Sequence, residues 1–124
     1  MSDFAIFNPQ EVEWTDFGPG APKTAIFQGS DSLTIQYFEL PAKSKGEAHA
    51  HVEEQIVYVL HGHLGINFGG KDFFAHQGSL VIIPPNIPHY GFNPCNETAM
   101  TMEIFSPKRD KPQSAKLDDF SLNS

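Results

Sequence analysis

The sequence predicts an all-β domain, either a sandwich or a small barrel, and three observations lead to that fold class. Short segments rich in β-branched and aromatic residues follow one another from residue 24 onward, and such residues favour strands. Turn-forming stretches separate these segments, and the chain contains ten glycines and ten prolines. The sequence shows no heptad pattern that would indicate long helices. Short strands at this spacing are typical of sandwiches and barrels.

The predicted strands can be followed in order along residues 24–106. They are TAIFQG, SLTIQYFEL, AHAHV, QIVYVL, LGINF, KDFFA, SLVIIP, IPHYGF and AMTMEIF. The later strands are separated by HGH, FGGK, HQGS, PPNIP and NPCNET, in which glycine, proline and asparagine favour tight turns. We therefore divide the chain into an N-terminal arm (1–23), a barrel (24–106) and a polar C-terminal tail (107–124).

Length, charge and cysteine content limit the classes of function. A chain of 124 residues is expected to form one domain whose core needs no disulfides. Its single cysteine, Cys95, excludes an internal disulfide and favours a cytoplasmic location. The net charge of -7 argues against nucleic-acid binding. The N-terminus does not resemble a signal peptide, and no apolar run approaches the roughly 18 residues that a membrane span requires.

Four side chains in two separate segments form a candidate metal site. His49, His51 and Gln55 lie in HAHVEEQ, and His89 lies further along the chain. Side chains at positions i and i+2 of an extended strand share a face, and Gln55 keeps that parity if the strand continues without a bulge. His89 must close the site from another strand. Three imidazoles and one oxygen donor suit a divalent transition metal, and zinc, nickel, iron and manganese all accept such ligands.

With these strands in place, residues 24–106 resemble the cupin superfamily. The first cupin motif is matched by His49, His51, Gln55 and Gly62, with Gln55 in place of the usual glutamate. The second motif is matched by Gly78, Pro84, His89 and Asn93, with Asn86 in place of the middle glycine. The resemblance implies a single-domain cupin (jelly-roll) β-barrel that binds one metal ion through the three histidines and Gln55.

A narrower resemblance concerns HAHVEEQIVYVLHG, IPPNIPH and EIFSPKR. These stretches are similar to the pectin-degradation cupins, which linearise unsaturated sugar acids, and to the cupin-type polyketide cyclases. In the sugar-acid group, an Asp-x-Phe on the last strand supplies an acid/base and an aromatic wall. This chain has Glu103 and Phe105 there. The resemblance therefore implies a catalytic role for Glu103 and a substrate-binding role for Phe105.

The orientation of the last predicted strand remains open at this point. Its sequence, AMTMEIF, alternates two methionines and an isoleucine with Thr101, Glu103 and Phe105. Simple patterning faces the apolar set inward and Glu103 to solvent, whereas the cupin resemblance turns Glu103 into the cavity. Tyr37 and Tyr58 are further candidates for substrate binding, although aromatic residues on strands usually belong to the core.

Other chemically notable residues receive a structural interpretation. His61 and His63 form a second His-x-His around a glycine, and we expect exposed loop residues there. Arg109 follows the last strand and could pair with a carboxylate, but we favour a solvated cation of the tail. Cys95 lies in a loop without basic neighbours that would lower its pKa, so we expect no nucleophile.

The predicted function is that of a metal-dependent, non-redox enzyme acting on a small polar or anionic substrate. The neutral Gln55 leaves the site more positive than a glutamate would, which strengthens Lewis-acid catalysis and disfavours oxidation of the metal. Ring opening with tautomerisation of an unsaturated sugar acid is the most concrete version, and polyketide cyclisation is a close variant. The alternatives are a metal-dependent cupin dioxygenase and a non-catalytic small-molecule binding protein. We also expect a homodimer, formed through exchange of the N-terminal arm.

Overall fold

The structure, a computed structural model, describes residues 4–110, and within that range the chain forms nine strands and one 3₁₀ helix, Pro9–Glu11. The strands are β1 (Thr15–Asp16), β2 (Lys23–Phe27), β3 (Thr34–Leu40), β4 (Glu54–His61), β5 (His63–Phe68), β6 (Lys71–His76), β7 (Leu80–Ile83), β8 (His89–Phe92) and β9 (Ala99–Ser106). The predicted all-β class is confirmed. No helix among the described residues has the length and apolar character needed to cross a membrane.

Two antiparallel sheets build the barrel. The larger sheet has the order β1-β2-β3-β9-β4-β7, and the smaller has the order β6-β5-β8. Val57, Val59 and Ile83 of the larger sheet pack against Leu64 and Ile66 of the smaller one, and all five are buried. Burial of these side chains is the main stabilisation that holds the two sheets face to face.

The register of the larger sheet decides which side chains point inward. Val57 is buried in the core and pairs with Glu103, and the buried Gln55 pairs with Phe105. Because directly paired residues share a face of a sheet, Glu103 and Phe105 point into the barrel. The expectation from simple patterning, with Glu103 in solvent, is therefore wrong. The physical reason is that the cavity at this end of the barrel contains polar groups, among them His51 and Gln55, beside its apolar lining, so Glu103 has polar neighbours there while Met100, Met102 and Ile104 lie on the outer face.

The segment before β4 differs from the prediction. AHAHV was expected to be a strand, but the structure shows only an isolated bridge between His49 and His89, followed by a bend at residues 52–53. β4 begins after that bend, at Glu54. The parity argument that joined His51 to Gln55 through one continuous strand therefore does not hold. Instead, a separate set of backbone contacts brings these side chains together.

Both ends of the described chain lie against the barrel. β1 pairs with β2 of the same chain. The ring of Phe7 lies 5.1 Å from that of Phe27 and 6.1 Å from that of Tyr37, measured between centroids. At the other end, residues 107–110 follow β9 and contact the loop after β2. The rest of the predicted tail, with Leu117, Phe120 and Leu122, lies outside the described residues.

Candidate metal centre

Backbone contacts fix the two segments that carry the histidines. His49 and His89 exchange backbone hydrogen bonds of 3.0 and 2.9 Å. The backbone N–H of Asn86 donates to the carbonyl of His51 at 2.8 Å. Asn86 has a φ of 63°, a left-handed conformation that asparagine tolerates better than most residues, and this explains why it can replace a glycine there. Potential ligand atoms of the three histidines consequently lie within 4.8 Å of one another.

Each of these histidines is oriented by a carbonyl two residues away. Nδ1 of His49 lies 2.9 Å from the Glu47 carbonyl oxygen. The corresponding distances are 3.0 Å from Nδ1 of His51 to the Glu53 carbonyl and 2.7 Å from Nδ1 of His89 to the Ile87 carbonyl. A carbonyl oxygen only accepts hydrogen bonds, so Nδ1 carries the proton and the lone pair remains on Nε2. Carbonyl partners of this kind orient metal-ligating histidines in general.

Unsatisfied polar atoms at the centre provide a test of whether a metal fits. Nε2 of His89 is buried and lacks a hydrogen-bond partner among the described residues. Nε2 of His51 faces Oε1 of Gln55 at 3.0 Å. The amide orientation follows from its other end, where Nε2 of Gln55 donates to Oε1 of Glu103 at 2.6 Å. With the His51 proton on Nδ1, two lone pairs face each other, an arrangement that a shared cation relieves. Three nitrogens and one amide oxygen fit a divalent transition metal.

Burial keeps two of the histidines in the neutral form that metal binding requires. Burial lowers the pKa of His89 to about 4, with a smaller contribution from the neighbouring His49 and His51. Burial also lowers the pKa of His51. Because burial lowers the pKa of both histidines from the ordinary value of 6.5, the neutral form that binds a metal predominates at neutral pH.

Glu103 lies beside this centre in the same cavity. Its carboxylate accepts hydrogen bonds from Gln55 Nε2 at 2.6 Å and from Thr101 Oγ1 at 2.9 Å. Burial raises the pKa of Glu103 to about 7, against the smaller opposing effects of those two hydrogen bonds and of the Arg109 charge. Both protonation states are therefore accessible near neutral pH.

The cavity around these groups opens to solvent and has a volume of about 100 Å³. Phe105 is buried in its wall, and its ring lies edge-on to that of His51, with centroids 5.7 Å apart. Arg109 also lines the cavity, and its Cζ lies 4.6 Å from the centroid of the Phe105 ring. The interpretation of Arg109 as a solvated tail cation is therefore wrong. Its place just after the last strand was the only sequence signal for this location. Alternation along β9 ends at Ser106 and therefore could not predict where the Arg109 side chain points.

Tyr37 and Tyr58 do not contribute to the cavity. Both pair with Met102 and lie on the outer face of the larger sheet. Their neighbours Phe38 and Val57 point inward and line the cavity instead. The prediction that these tyrosines bind substrate is corrected, because their strand positions have the opposite parity to the lining residues.

The remaining motif residues have structural positions. Asn93 is buried, and its side-chain amide donates to the carbonyls of Leu40, Pro41 and Glu97 while its oxygen accepts from the backbone of Cys95. It thus holds the loop before β9 and does not reach the metal centre. His61 and His63 are exposed, as expected, but they lie in strands rather than in a loop: His61 ends β4, at the opposite end from Gln55, and His63 begins β5.

The barrel, the two motifs and the histidine centre define a member of the cupin family, and comparison with known proteins agrees. Residues 36–105 match the family model of the cupin domain, so the chain belongs to this family. Among curated proteins it is similar to H2HPP isomerase of Bacillus subtilis, with 26% identity over 117 residues. That match covers 93% of this chain but 47% of the relative, so the chain spans about half of the relative's length.

Solved structures with the same fold include KdgF and a polyketide cyclase. KdgF from Halomonas sp. superposes with a TM-score of 0.79 at 23% identity, covering 88% of this chain and 98% of KdgF. The polyketide cyclase RemF from Streptomyces resistomycificus superposes with a TM-score of 0.72 at 20% identity, covering 84% and 80% of the two chains. At these identities the similarity establishes the fold.

Proposed function

We propose that this chain is a metal-dependent enzyme that acts on a small anionic substrate without redox chemistry. The observation that carries the proposal is the double role of the Gln55 amide. Its oxygen faces the histidine centre, while its nitrogen donates to Glu103. One side chain thus connects a candidate metal ligand set to a carboxylate whose pKa lies near neutrality. A metal and an acid/base group in one cavity suit proton transfer next to a polarised carbonyl.

Glu103 moves the proton in the proposed reaction. When bound, a divalent metal supplies Lewis-acid polarisation of a carbonyl or hydroxyl oxygen of the substrate. Oε1 or Oε2 of Glu103 then accepts a proton from the substrate and returns it at a neighbouring atom. The hydrogen bonds from Gln55 and Thr101 hold the carboxylate in place for both transfers. Phe105 shields this part of the cavity from water.

Arg109 binds the negative charge of the substrate. Its guanidinium lies over the face of Phe105, within the cavity lining. Stacking on an aromatic ring leaves the planar N–H donors free to bind a carboxylate through two hydrogen bonds. The proposed substrate therefore carries a carboxylate near the atoms that react.

The most concrete version is ring opening and tautomerisation of an unsaturated sugar acid. Cyclisation of a polyketide is a close variant, because both reactions require proton transfer and stabilisation of an enolate. The shared fold with KdgF and with the cyclase RemF, and the similarity to an isomerase, support this class of reaction.

The proposal is tested by turnover of an unsaturated galacturonate by metal-free protein reloaded separately with zinc, nickel, iron or manganese. We expect turnover without oxygen for at least one metal, and a loss of about 100-fold or more in Glu103→Gln with unchanged metal content. Glu103→Asp is the matched control that keeps a carboxylate. Turnover that requires oxygen would instead favour a dioxygenase. Ligand binding without any turnover would favour a non-catalytic binding protein.

We also propose a cytoplasmic homodimer. The single cysteine, Cys95, is free, as a reducing compartment would require. The outer face of the larger sheet carries Ile56 and Tyr58, and on the adjacent edge strand Leu80 and Ile82 are 65% and 59% exposed. Contiguous exposed apolar residues mark interaction sites. Light scattering after size exclusion tests the dimer, and Ile82→Lys is expected to yield a monomer.

A further inference from the structure

The segment after β9 is attached to the loop after β2 through two side chains, Gln28 and Thr34. Thr34 Oγ1 accepts a hydrogen bond from the backbone N–H of Arg109 at 2.8 Å and donates to Gln28 Oε1 at 2.6 Å. Gln28 Nε2 donates to the backbone carbonyl of Arg109 at 2.8 Å. In addition, Lys108 Nζ donates to the Gln28 carbonyl at 2.7 Å. We refer to Gln28 and Thr34 together as the clamp.

Donor and acceptor roles in the clamp are fully determined. The Arg109 N–H only donates, so Thr34 Oγ1 accepts from it and has one proton left for Gln28 Oε1. The Gln28 nitrogen therefore faces the Arg109 carbonyl, which only accepts. Thr34 is 0% exposed. Because these groups satisfy one another and Thr34 is fully buried, removal of either side chain leaves an unpaired polar group.

The clamp binds both the N–H and the carbonyl of the Arg109 backbone, while the Arg109 side chain packs on the ring of Phe105. Thr34 pairs directly with Phe105 in the sheet register, so this member of the clamp and the ring lie on adjacent strands. The guanidinium lies 4.6 Å from that ring. An arginine held in this way loses less conformational freedom when it binds an anion than a freely moving one would.

We propose that Thr34 and Gln28 are positioning residues for Arg109 and that they set the cavity's preference for a carboxylate over a neutral ligand of similar size. The inference rests on the proposed function, since it takes the ligand to be an anion. It adds that anion selectivity depends on a loop that lies outside both sequence motifs.

The first experiment needs no ligand. Arg109 is the single arginine of the sequence, so its Nε–Hε group gives one assignable signal in a ¹H–¹⁵N spectrum of the zinc-loaded protein. A proton over an aromatic face is shifted upfield, and Phe105→Leu should remove that shift. We expect Thr34→Val and Gln28→Leu to move the signal towards the position of a free arginine. Thr34→Ser, which keeps the hydroxyl, should leave it in place.

The second experiment measures binding of galacturonate and of neutral galactose to the zinc-loaded protein by calorimetry. We expect Thr34→Val to weaken galacturonate binding by about tenfold, with galactose binding and zinc content unchanged. Thr34→Ser should bind both sugars like the wild type. In Arg109→Met, the added Thr34→Val should have no further effect on galacturonate, because the clamp acts through Arg109.

The outcomes separate the inference from the proposed function. If Arg109→Met weakens galacturonate binding but neither clamp variant does, the positioning role is overturned while the anionic substrate stands. Additive losses in the double variant also overturn it, because the clamp would then act by another route. If galacturonate does not bind, or if Arg109→Met has no effect on its binding, the positioning role and the anion-binding role of Arg109 are both overturned, and turnover of the unsaturated galacturonate decides separately whether the metal-dependent enzyme stands. Gln28 is only partly buried, so its variant provides the test if Thr34→Val fails to fold.

Discussion

Two groups of three histidines occupy opposite ends of this barrel, and only one of them has the features of a metal site. His49, His51 and His89 are oriented by backbone carbonyls and converge on one point. His61, His63 and His76 are exposed, and within residues 4–110 their rings form no hydrogen bond. The rings of His63 and His76 lie 6.4 Å apart across two strands. Fixed orientation, rather than the number or spacing of histidines, distinguishes the two groups.

The largest expected effect is the loss of metal binding when a ligand is removed. His89→Ala should lower zinc affinity by at least about 100-fold, since even changes to the partners of a metal ligand cost about 10- to 100-fold. His76→Ala, the matched control, should have no effect. Zinc titration against a competing chelator measures both. Equal losses in the two variants would show that the difference in orientation has no bearing on affinity.

A second prediction concerns the position of the proton on each ring in the metal-free protein. Long-range ¹H–¹⁵N spectra at neutral pH should show His49, His51 and His89 with the proton on Nδ1, because each Nδ1 donates to a carbonyl. The exposed histidines should show no such fixed preference. Protons found on Nε2 of the converging group would contradict the orientation described above.

Burial of polar groups around the first histidine group should also give the metal-free protein a distinct pH dependence. The pKa of Glu103 is raised from 4.5 to about 7, so between these values the folded state binds more protons than the unfolded state. The Glu103 contribution to stability is therefore present below pH 4.5 and is lost as the pH rises towards about 7.

Thermal melts of metal-free Glu103→Gln should show this contribution directly. The melting temperature of the variant is expected to rise relative to wild type as the pH increases through that window. Glu54→Gln, which changes an exposed carboxylate next to the site, serves as the control and should track the wild type. A constant difference between Glu103→Gln and wild type across the window would contradict the raised pKa.

The smallest effect is expected from a change to the backbone contacts. Residue 86 has a φ of 63°, and alanine adopts this left-handed conformation less readily than asparagine does. Asn86→Ala is therefore expected to lower the free energy of unfolding by about 1 kcal/mol. Chemical denaturation should detect this loss, together with a several-fold weaker zinc affinity. Asn86→Gly tolerates the same φ and should bind zinc like the wild type. If both variants weaken zinc binding equally, the side chain of Asn86 matters rather than its backbone conformation.

Local signals such as alternation and turn residues were sufficient to predict most of the strands after residue 24, and the two cupin motifs identified the three histidines that converge. It failed where the structure depends on distant contacts. AHAHV is held extended by the bridge to His89 rather than by a strand of its own. Tyr37 and Tyr58 were assigned to the cavity because β3 and β4 carry apolar residues on both faces, so alternation alone does not reveal the inner one. The position of Arg109 depends on Gln28 and Thr34, which precede it by 81 and 75 residues.

The reciprocal bridge between His49 and His89 has a consequence for how such a barrel can change. Only main-chain atoms make these contacts, and the hydrogen bond from Asn86 to His51 is likewise between main-chain atoms. Side-chain replacements around the mouth that leave this backbone conformation unchanged therefore leave the framework of the candidate metal centre in place. New substrates can be accommodated by varying the rim, and a designer can randomise those positions without rebuilding the platform beneath them.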